Sequence, residues 1–416
     1  MNLSPDPSFD FNLLRWLGGA PYHGADVAEV LKLAGRLTAG DFESWYSEFF
    51  SLAERVAREG WQDRPATPVT RRDRAFRAAA YYRAADFYLH GNPADPRIKI
   101  TWAEARDQFD RAIAELIPAG ERVTIAADGF DIPAIYYRAS RDPAPRPTVL
   151  MCNGFDGSQE EMLHVSGFAA LERGFHVLTF EGPGQPTVLR EQGLGFRHDW
   201  EAVVSPVADF CETIPEIDAG RLALLGLSFG GYLAPRAAAF EPRIAAVITI
   251  DGLFDGYESV TNLLTPPLRS LLEARDADGF NAAIRPAMDH GTGLRWWIEQ
   301  GMWVFRADTP YEFYDQARRY TLAGVVDKIA CPVLVCEASA DDFNPGQADR
   351  LATALGDRAT LRSFTPGESA EAHSHLGAWV LMNGVVFDWL TGTFDASAPG
   401  TAAMTGRHNH PESSAP

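Results

Sequence analysis

The residues best suited to chemistry in this sequence are Gly226-Leu227-Ser228-Phe229-Gly230, followed by Gly231. An apolar run, Leu222 to Leu225, precedes them, and a helical pattern from about Phe229 to Phe240 follows. A Gly-x-Ser-x-Gly turn between strand and helix reads as a nucleophile elbow. Its small flanking residues permit a strained turn that lifts the serine hydroxyl above the sheet edge at a helix N-terminus. The plainer reading is a glycine-rich packing turn.

A serine hydroxyl is a poor nucleophile at neutral pH, so it needs a base, and the base needs an orienting carboxylate. In a strand–turn–helix architecture of this kind the chain order is serine, acid, histidine. The strand-like run Pro332 to Cys336 ends in a loop, Glu337 to Pro345, where Asp341 is the expected acid and Asp342 its neighbouring alternative. Asp251, directly after the run Ala245 to Ile250, is a second alternative. The run Thr360 to Phe364 leads into a loop in which His373 is the expected base and His375 the alternative. An oxyanion hole needs two backbone N–H donors. One is expected from Phe229 and the other from Phe155, in the loop Asn153-Gly154-Phe155-Asp156-Gly157-Ser158, where Gly154 and Asp156 would face the substrate.

The elements that must position these groups are legible as changes of period. From about Phe9 to Leu116 apolar residues recur at three- and four-residue steps, as in Phe42, Trp45, Tyr46, Phe49 and Phe50, which predicts helices. Around Asp128-Gly129 the pattern alternates, predicting a β-hairpin. Strands then alternate with helices (Thr148 to Cys152, Phe175 to Phe180, Leu222 to Leu225, Ala245 to Ile250), which implies a mostly parallel sheet covered on both faces. Strand signals stop between Leu253 and about Lys328 and then resume, followed by a last helix through Leu390. The expected organisation is a helical N-terminal domain over 1–118 and a core over 119–252. A helical insertion over 253–328, the rest of the core over 329–392 and a disordered tail over 393–416 complete it. Trp296, Trp297, Trp303, Phe305, Tyr311 and Phe313, in the insertion, are expected to roof the pocket together with the N-terminal helices for a flat, apolar ligand, with Trp303 and Phe305 binding the substrate.

Composition excludes several other functions. The 416 residues hold 37 Lys and Arg against 56 Asp and Glu, a net charge of −19, which repels phosphate backbones and anionic lipid. No nucleic-acid or membrane partner is expected, and a polyanionic substrate is disfavoured. The four cysteines show no CxxC pair, and Met1 to Arg15 lacks the basic start and apolar stretch of a signal peptide, so a cytoplasmic location is expected. Gly182-Pro183-Gly184-Gln185 lacks the third glycine and the Lys and Ser/Thr of a phosphate loop. His290 and Asp289 stand apart from other ligand types, so no cofactor and no metal are expected.

Several stretches together resemble the α/β-hydrolases that carry a helical N-terminal domain. These are similar to 2,6-dihydroxypseudooxynicotine hydrolase and to the fungal hydrolases that shorten polyketide chains. The matching residues are Asn153-Gly154-Phe155-Asp156-Gly157, Phe180-Glu181-Gly182-Pro183-Gly184-Gln185 and Phe196-Arg197-His198-Asp199-Trp200-Glu201. The elbow with Tyr232-Leu233-Ala234-Pro235-Arg236, Phe343-Asn344-Pro345-Gly346-Gln347 and Ala372-His373 extend the match. The resemblance implies an α/β-hydrolase fold and a triad of Ser228, Asp341 and His373. It further implies hydrolysis of a carbon–carbon bond beside a carbonyl in an aromatic or polyketide-like substrate, and dimerisation through the helical domain. A carboxylesterase or lactonase, and a non-hydrolytic acyl-transfer or cyclisation enzyme, are the competing readings. Two departures, Glu181 where relatives often carry Asp and Asn153 where many hydrolases have His, fall in substrate-side loops.

Overall fold

The computed structural model of the chain describes residues 2–59 and 66–396. Its centre is an eight-stranded sheet made of β1 (Glu121–Ala127), β2 (Phe130–Tyr137), β3 (Arg146–Cys152), β4 (His176–Phe180), β5 (Ile217–Leu227), β6 (Ile244–Ile250), β7 (Val333–Ala338) and β8 (Ala359–Phe364). The strand order is β1-β2-β4-β3-β5-β6-β7-β8. β1, β2 and β4 pair antiparallel, and every other neighbouring pair is parallel. This is the mostly parallel sheet that the alternation of strand and helix patterns predicts, in the α/β-hydrolase order that the resemblance implies.

The parallel strands are near-continuous apolar runs because both faces of the sheet are covered. Leu150, Cys152, Leu222 and Leu224 pack into one core, while their neighbours Val149, Met151, Ala223 and Leu225 pack into the other. Each fully buried leucine contributes about 2 kcal/mol. The order of strands reverses at β3, which has β4 on one side and β5 on the other. The crevice beyond the C-terminal ends of strands at such a reversal is where open α/β sheets bind ligands. Here β3 and β5 deliver to it the Asn153–Ser158 loop and the Ser228 turn.

Before β1 the chain forms helices Pro7–Gly18, Val27–Ala34, Phe42–Glu59, Pro68–Ala85 and Pro96–Ala114. Asp6, Thr67 and Asp95 cap three of them, each followed by a proline that has no N–H to leave unsatisfied. Phe9 packs on Trp45 and Tyr88 with ring centroids 4.8 and 5.0 Å away, and Trp45 Nε1 donates to the Ala84 carbonyl at 2.8 Å. Between β6 and β7 stand helices Gly256–Asn262, Pro266–Glu273, Ala277–His290, Thr292–Phe305 and Pro310–Ala317. Thr292–Phe305 joins this group to the N-terminal helices. Its Trp296 stacks on Phe87 at 4.5 Å, and Trp296 Nε1 donates to the Phe87 carbonyl at 2.8 Å.

Three elements differ from the sequence-based expectation. β5 starts at Ile217 rather than Leu222. A helix, Pro186–Gln192, follows the glycine-rich turn, and its start signal is the proline itself. The last helix, Trp379–Ala396, runs past Leu390 and four residues into the segment 393–416 expected as a tail, because Phe394 is buried beside Phe175. The rest of that segment, 397–416, lies outside the described residues. Among the described residues no helix is long and apolar enough to cross a membrane.

Candidate active site

Ser228 occupies the turn between β5 and the helix Gly230–Ala238 with φ +59°, a left-handed conformation that costs a non-glycine residue about 1–2 kcal/mol. The turn is held because Ser228 N–H donates to the Ile250 carbonyl at 2.8 Å and Gly231 N–H donates to the Ser228 carbonyl at 2.7 Å. Its glycines are sterically required. A Cβ at Gly226 would lie 2.0 Å from the Gly230 carbonyl oxygen, and one at Gly231 would lie 2.2 Å from that of Asp251.

His373 Nε2 stands 2.9 Å from Ser228 Oγ. On the other side of the ring, His373 Nδ1 is 2.8 Å from Asp341 Oδ2 and 3.0 Å from Asp251 Oδ2. Asp341 is anchored by the Phe343 N–H at 2.8 Å and by Asn344 Nδ2 at 3.2 Å. The structure thus brings together Ser228, Asp341 and His373, and it also brings in Asp251, which the sequence offered only as a replacement for Asp341. Asp342 and His375 do not join them. Asp342 is exposed at the rim, where its carbonyl accepts from Asn262. His375 turns into the core, with Nδ1 on the Ala370 carbonyl at 2.9 Å and its ring 4.1 Å from Phe364.

Burial alone would lower the pKa of His373, but the charges of Asp341 and Asp251 outweigh it and hold the imidazole at about 9. Burial would raise Asp341, and the His373 charge and hydrogen bond bring it below the ordinary carboxylate value instead. Asp251 is raised, because burial dominates there against the pull of His373. The donor atoms of Asp251, Asp341 and His373 lie within 4.8 Å of one another, the one such grouping that could ligate a metal among the described residues. Both nitrogens of His373 are already engaged, Nδ1 by the two carboxylates and Nε2 by Ser228.

The loop after β3 lies against the elbow. A Cβ at Gly154 would come 2.6 Å from both the Leu227 carbonyl oxygen and the Phe229 nitrogen. Asn153 Oδ1 accepts the Gly154 N–H at 2.7 Å, so that donor is used within the loop. Gln185 Nε2 holds the Asn153 carbonyl at 2.6 Å and Gln300 Nε2 holds the Phe155 carbonyl at 3.0 Å. The turn Gly182–Gln185 has no room to cradle a phosphate, because Phe196 fills it: the ring lies 2.3 Å from where a Gly184 Cβ would be. It serves as a brace for the loop.

A cavity of about 810 Å³ opens over Ser228 and His373, walled by Phe155, Trp296, Trp297, Phe305 and Phe343, with Asp156 and Phe229 also on its surface. Phe155 and Trp297 are stacked 4.6 Å apart. Gly154 stands behind this wall. Trp303 faces away: its ring is 4.7 Å from that of His90 and 5.4 Å from the Arg190 guanidinium, so it does not line the cavity as expected. Phe305, roughly 200° further round the helix, takes the cavity side.

Sequence reasoning expected N-terminal helices over the pocket but did not single out Pro7–Gly18, which contributes Phe11, Asn12 and Arg15 to the cavity wall. Phe11 lies 5.6 Å from Phe343 and 6.3 Å from His373. Arg15 is buried, with Nε and Nη2 on the two Glu161 oxygens at 2.6 and 2.7 Å and Nη1 on Asp156 at 3.2 Å. An apolar stripe marks a helix for burial, but nothing local says which surface it covers.

The chain is 35% identical over 405 residues to the 20-hydroxy-prefusarin hydrolase of Gibberella moniliformis, covering 93% of this chain and 96% of that one. It is likewise 35% identical over 421 residues to hydrolase LUC6 of a Fusarium species, covering 94% and 97%. The crystal structure of the 2,6-dihydroxy-pseudo-oxynicotine hydrolase shares the fold with a TM-score of 0.69 at 23% identity, over 91% of this chain and 96% of that one. Residues 149–389, from β3 through most of the last helix, match the alpha/beta hydrolase family, and with these relatives the chain belongs to that family.

Proposed function

We propose that the chain is a serine hydrolase that cleaves a carbon–carbon bond beside a carbonyl in an aromatic or polyketide-like substrate, through an acyl-enzyme. The observation that carries the reading is the unbroken line of contacts from Ser228 Oγ through His373 to Asp341 on the floor of the cavity. In this mechanism Ser228 Oγ attacks the ketone carbon of a 1,3-dicarbonyl or acyl-phenol while its proton passes to His373 Nε2. The N–H groups of Phe229 and Phe155 hold the alkoxide. Collapse breaks the carbon–carbon bond, and the departing enolate carbon takes the proton from Nε2. A water, deprotonated by the same nitrogen, then releases the acid and restores Ser228.

The substrate class is supported by the walls. A cavity of about 810 Å³ suits a ligand of drug size or larger, and stacked Phe155 and Trp297 present flat apolar surface beside the nucleophile. The Gibberella relative is named for hydrolysis of 20-hydroxy-prefusarin, which supports a hydroxylated small molecule as the substrate class here. No cofactor is required by these steps. In the test, Ser228→Ala should lower turnover of an activated aryl ester at least about 10⁴-fold and abolish fluorophosphonate labelling while the protein stays folded. Retained labelling would refute the nucleophile. β-Diketones and acyl-phenols should yield acid and ketone or phenol by mass spectrometry, and cleavage of esters alone would refute the carbon–carbon reading.

A further inference from the structure

His373 Nδ1 has one proton to donate, yet two carboxylates face it. Asp341 Oδ2 comes from the loop after β7 and lies 2.8 Å away, and Asp251 Oδ2 comes from the very end of β6 and lies 3.0 Å away. Asp251 is held in that position by other residues. Its φ is +64°, a region that a residue with a side chain seldom occupies. Ser374, itself at φ +55°, gives both its N–H and its Oγ–H to the same Oδ2, at 2.5 and 2.9 Å. Gly231 is pressed so closely on the Asp251 carbonyl that no side chain fits between them. Asp251 Oδ1 is buried with no hydrogen-bond partner, a loss of stability that packing alone gives no reason to keep.

We infer that Asp251 is a second orienting carboxylate that shares the His373 Nδ1–H with Asp341, so that the base stays aligned when either carboxylate is lost. This rests on the proposed triad of Ser228, His373 and Asp341. As the Ser228 proton reaches Nε2, the imidazolium keeps Nδ1–H on Asp341 Oδ2, with the Asp251 carboxylate 3.0 Å away to take over as acceptor. When Nε2 passes that proton to the leaving group the ring is neutral again, and neither aspartate has gained one. The groups that face Asp251 are His373, Asp341, Ser374, His375 and Cys336. Burial keeps His375 and the Cys336 thiol neutral, so a change of charge at Asp251 is felt chiefly by His373 and Asp341.

The test is the second-order rate of fluorophosphonate labelling from pH 5 to 10 for wild type, Asp341→Asn, Asp251→Asn and the double variant, with circular dichroism to establish folding. A triad with one carboxylate loses about 10⁴ when that carboxylate becomes an amide. Here Asp341→Asn should stay within about 10² of wild type, because Asp251 remains. Asp251→Asn should lower the alkaline plateau by up to about tenfold and move the rising limb to lower pH, since one negative charge beside the imidazole is gone. The double variant should fall about 10⁴-fold, more than the product of the two single losses. Asp341→Asn as slow as the double, or a folded Asp251→Asn with plateau and limb unmoved, would overturn the inference. Should Asp251→Asn fail to fold, Asp341→Asn decides alone, a loss near 10⁴ overturning it. Absence of labelling in the wild-type protein would overturn the triad itself, a failure distinct from these.

Discussion

Replacing Gly154 with alanine adds a single methyl group, and its effect can be worked out from the geometry of the elbow. The new Cβ would lie 2.6 Å from the Leu227 carbonyl oxygen and 2.6 Å from the Phe229 nitrogen, both backbone atoms that cannot rotate aside. To reach an ordinary contact of 3.4 Å the loop must retreat by about 0.8 Å. Asn153 and Phe155, on either side, are tied through their carbonyls to Gln185 and Gln300, so the retreat carries the Phe155 N–H with it. A hydrogen bond to the alkoxide lengthened by most of an ångström is effectively lost, and losing one such donor costs about 10²–10³ in kcat, or about 3–4 kcal/mol. Overpacking costs a further 1–3 kcal/mol or so of stability. Steady-state kinetics on an activated aryl ester should therefore show kcat falling by about two to three orders of magnitude with KM changed by less than about threefold. Fluorophosphonate should still label every Ser228, more slowly. A kcat within about threefold of wild type would refute the assignment of this loop to the oxyanion hole.

With His373 held at about 9 by its two carboxylates, most of the ring is protonated at neutral pH, and only the neutral fraction can accept the Ser228 proton. The labelling rate should climb as pH rises, with its midpoint near 9 and a plateau above that, and a rate flat from pH 6 to 9 would contradict the shift. Arg15→Met should destabilise the fold by about 3–5 kcal/mol in urea titrations, because Glu161 and Asp156 are left unpaired in a buried site. Adding Glu161→Gln to that variant should restore part of the loss, and no restoration would mean that packing rather than charge accounts for it.

The elbow was legible in the sequence because its determinants are local. Glycines at 226, 230 and 231 with a strand before and a helix after define one tight turn, and the steric limits at Gly226 and Gly231 explain those residue types. The histidine was legible from its position after the last strand. Choosing between Asp251 and Asp341 was not a local question, since both stand just past a strand on the same edge of the sheet. The structure shows that both reach one nitrogen. Trp303 and Phe305 looked alike as aromatic residues of one helix, and only the rotation of that helix about its axis separates them.

Period and turn chemistry by themselves determined most of the strands and helices and the chain order of the candidate groups Ser228, Asp341 and His373, because φ/ψ preference and apolar spacing act over a few residues. The tertiary structure alone decided that the helix Pro7–Gly18, more than 200 residues before the elbow, closes the cavity beside His373. It alone decided that Asp251 joins Asp341 there. Both depend on how the sheet order folds distant segments onto one crevice, and no short stretch of sequence carries the energy of contacts it makes only after that folding is complete.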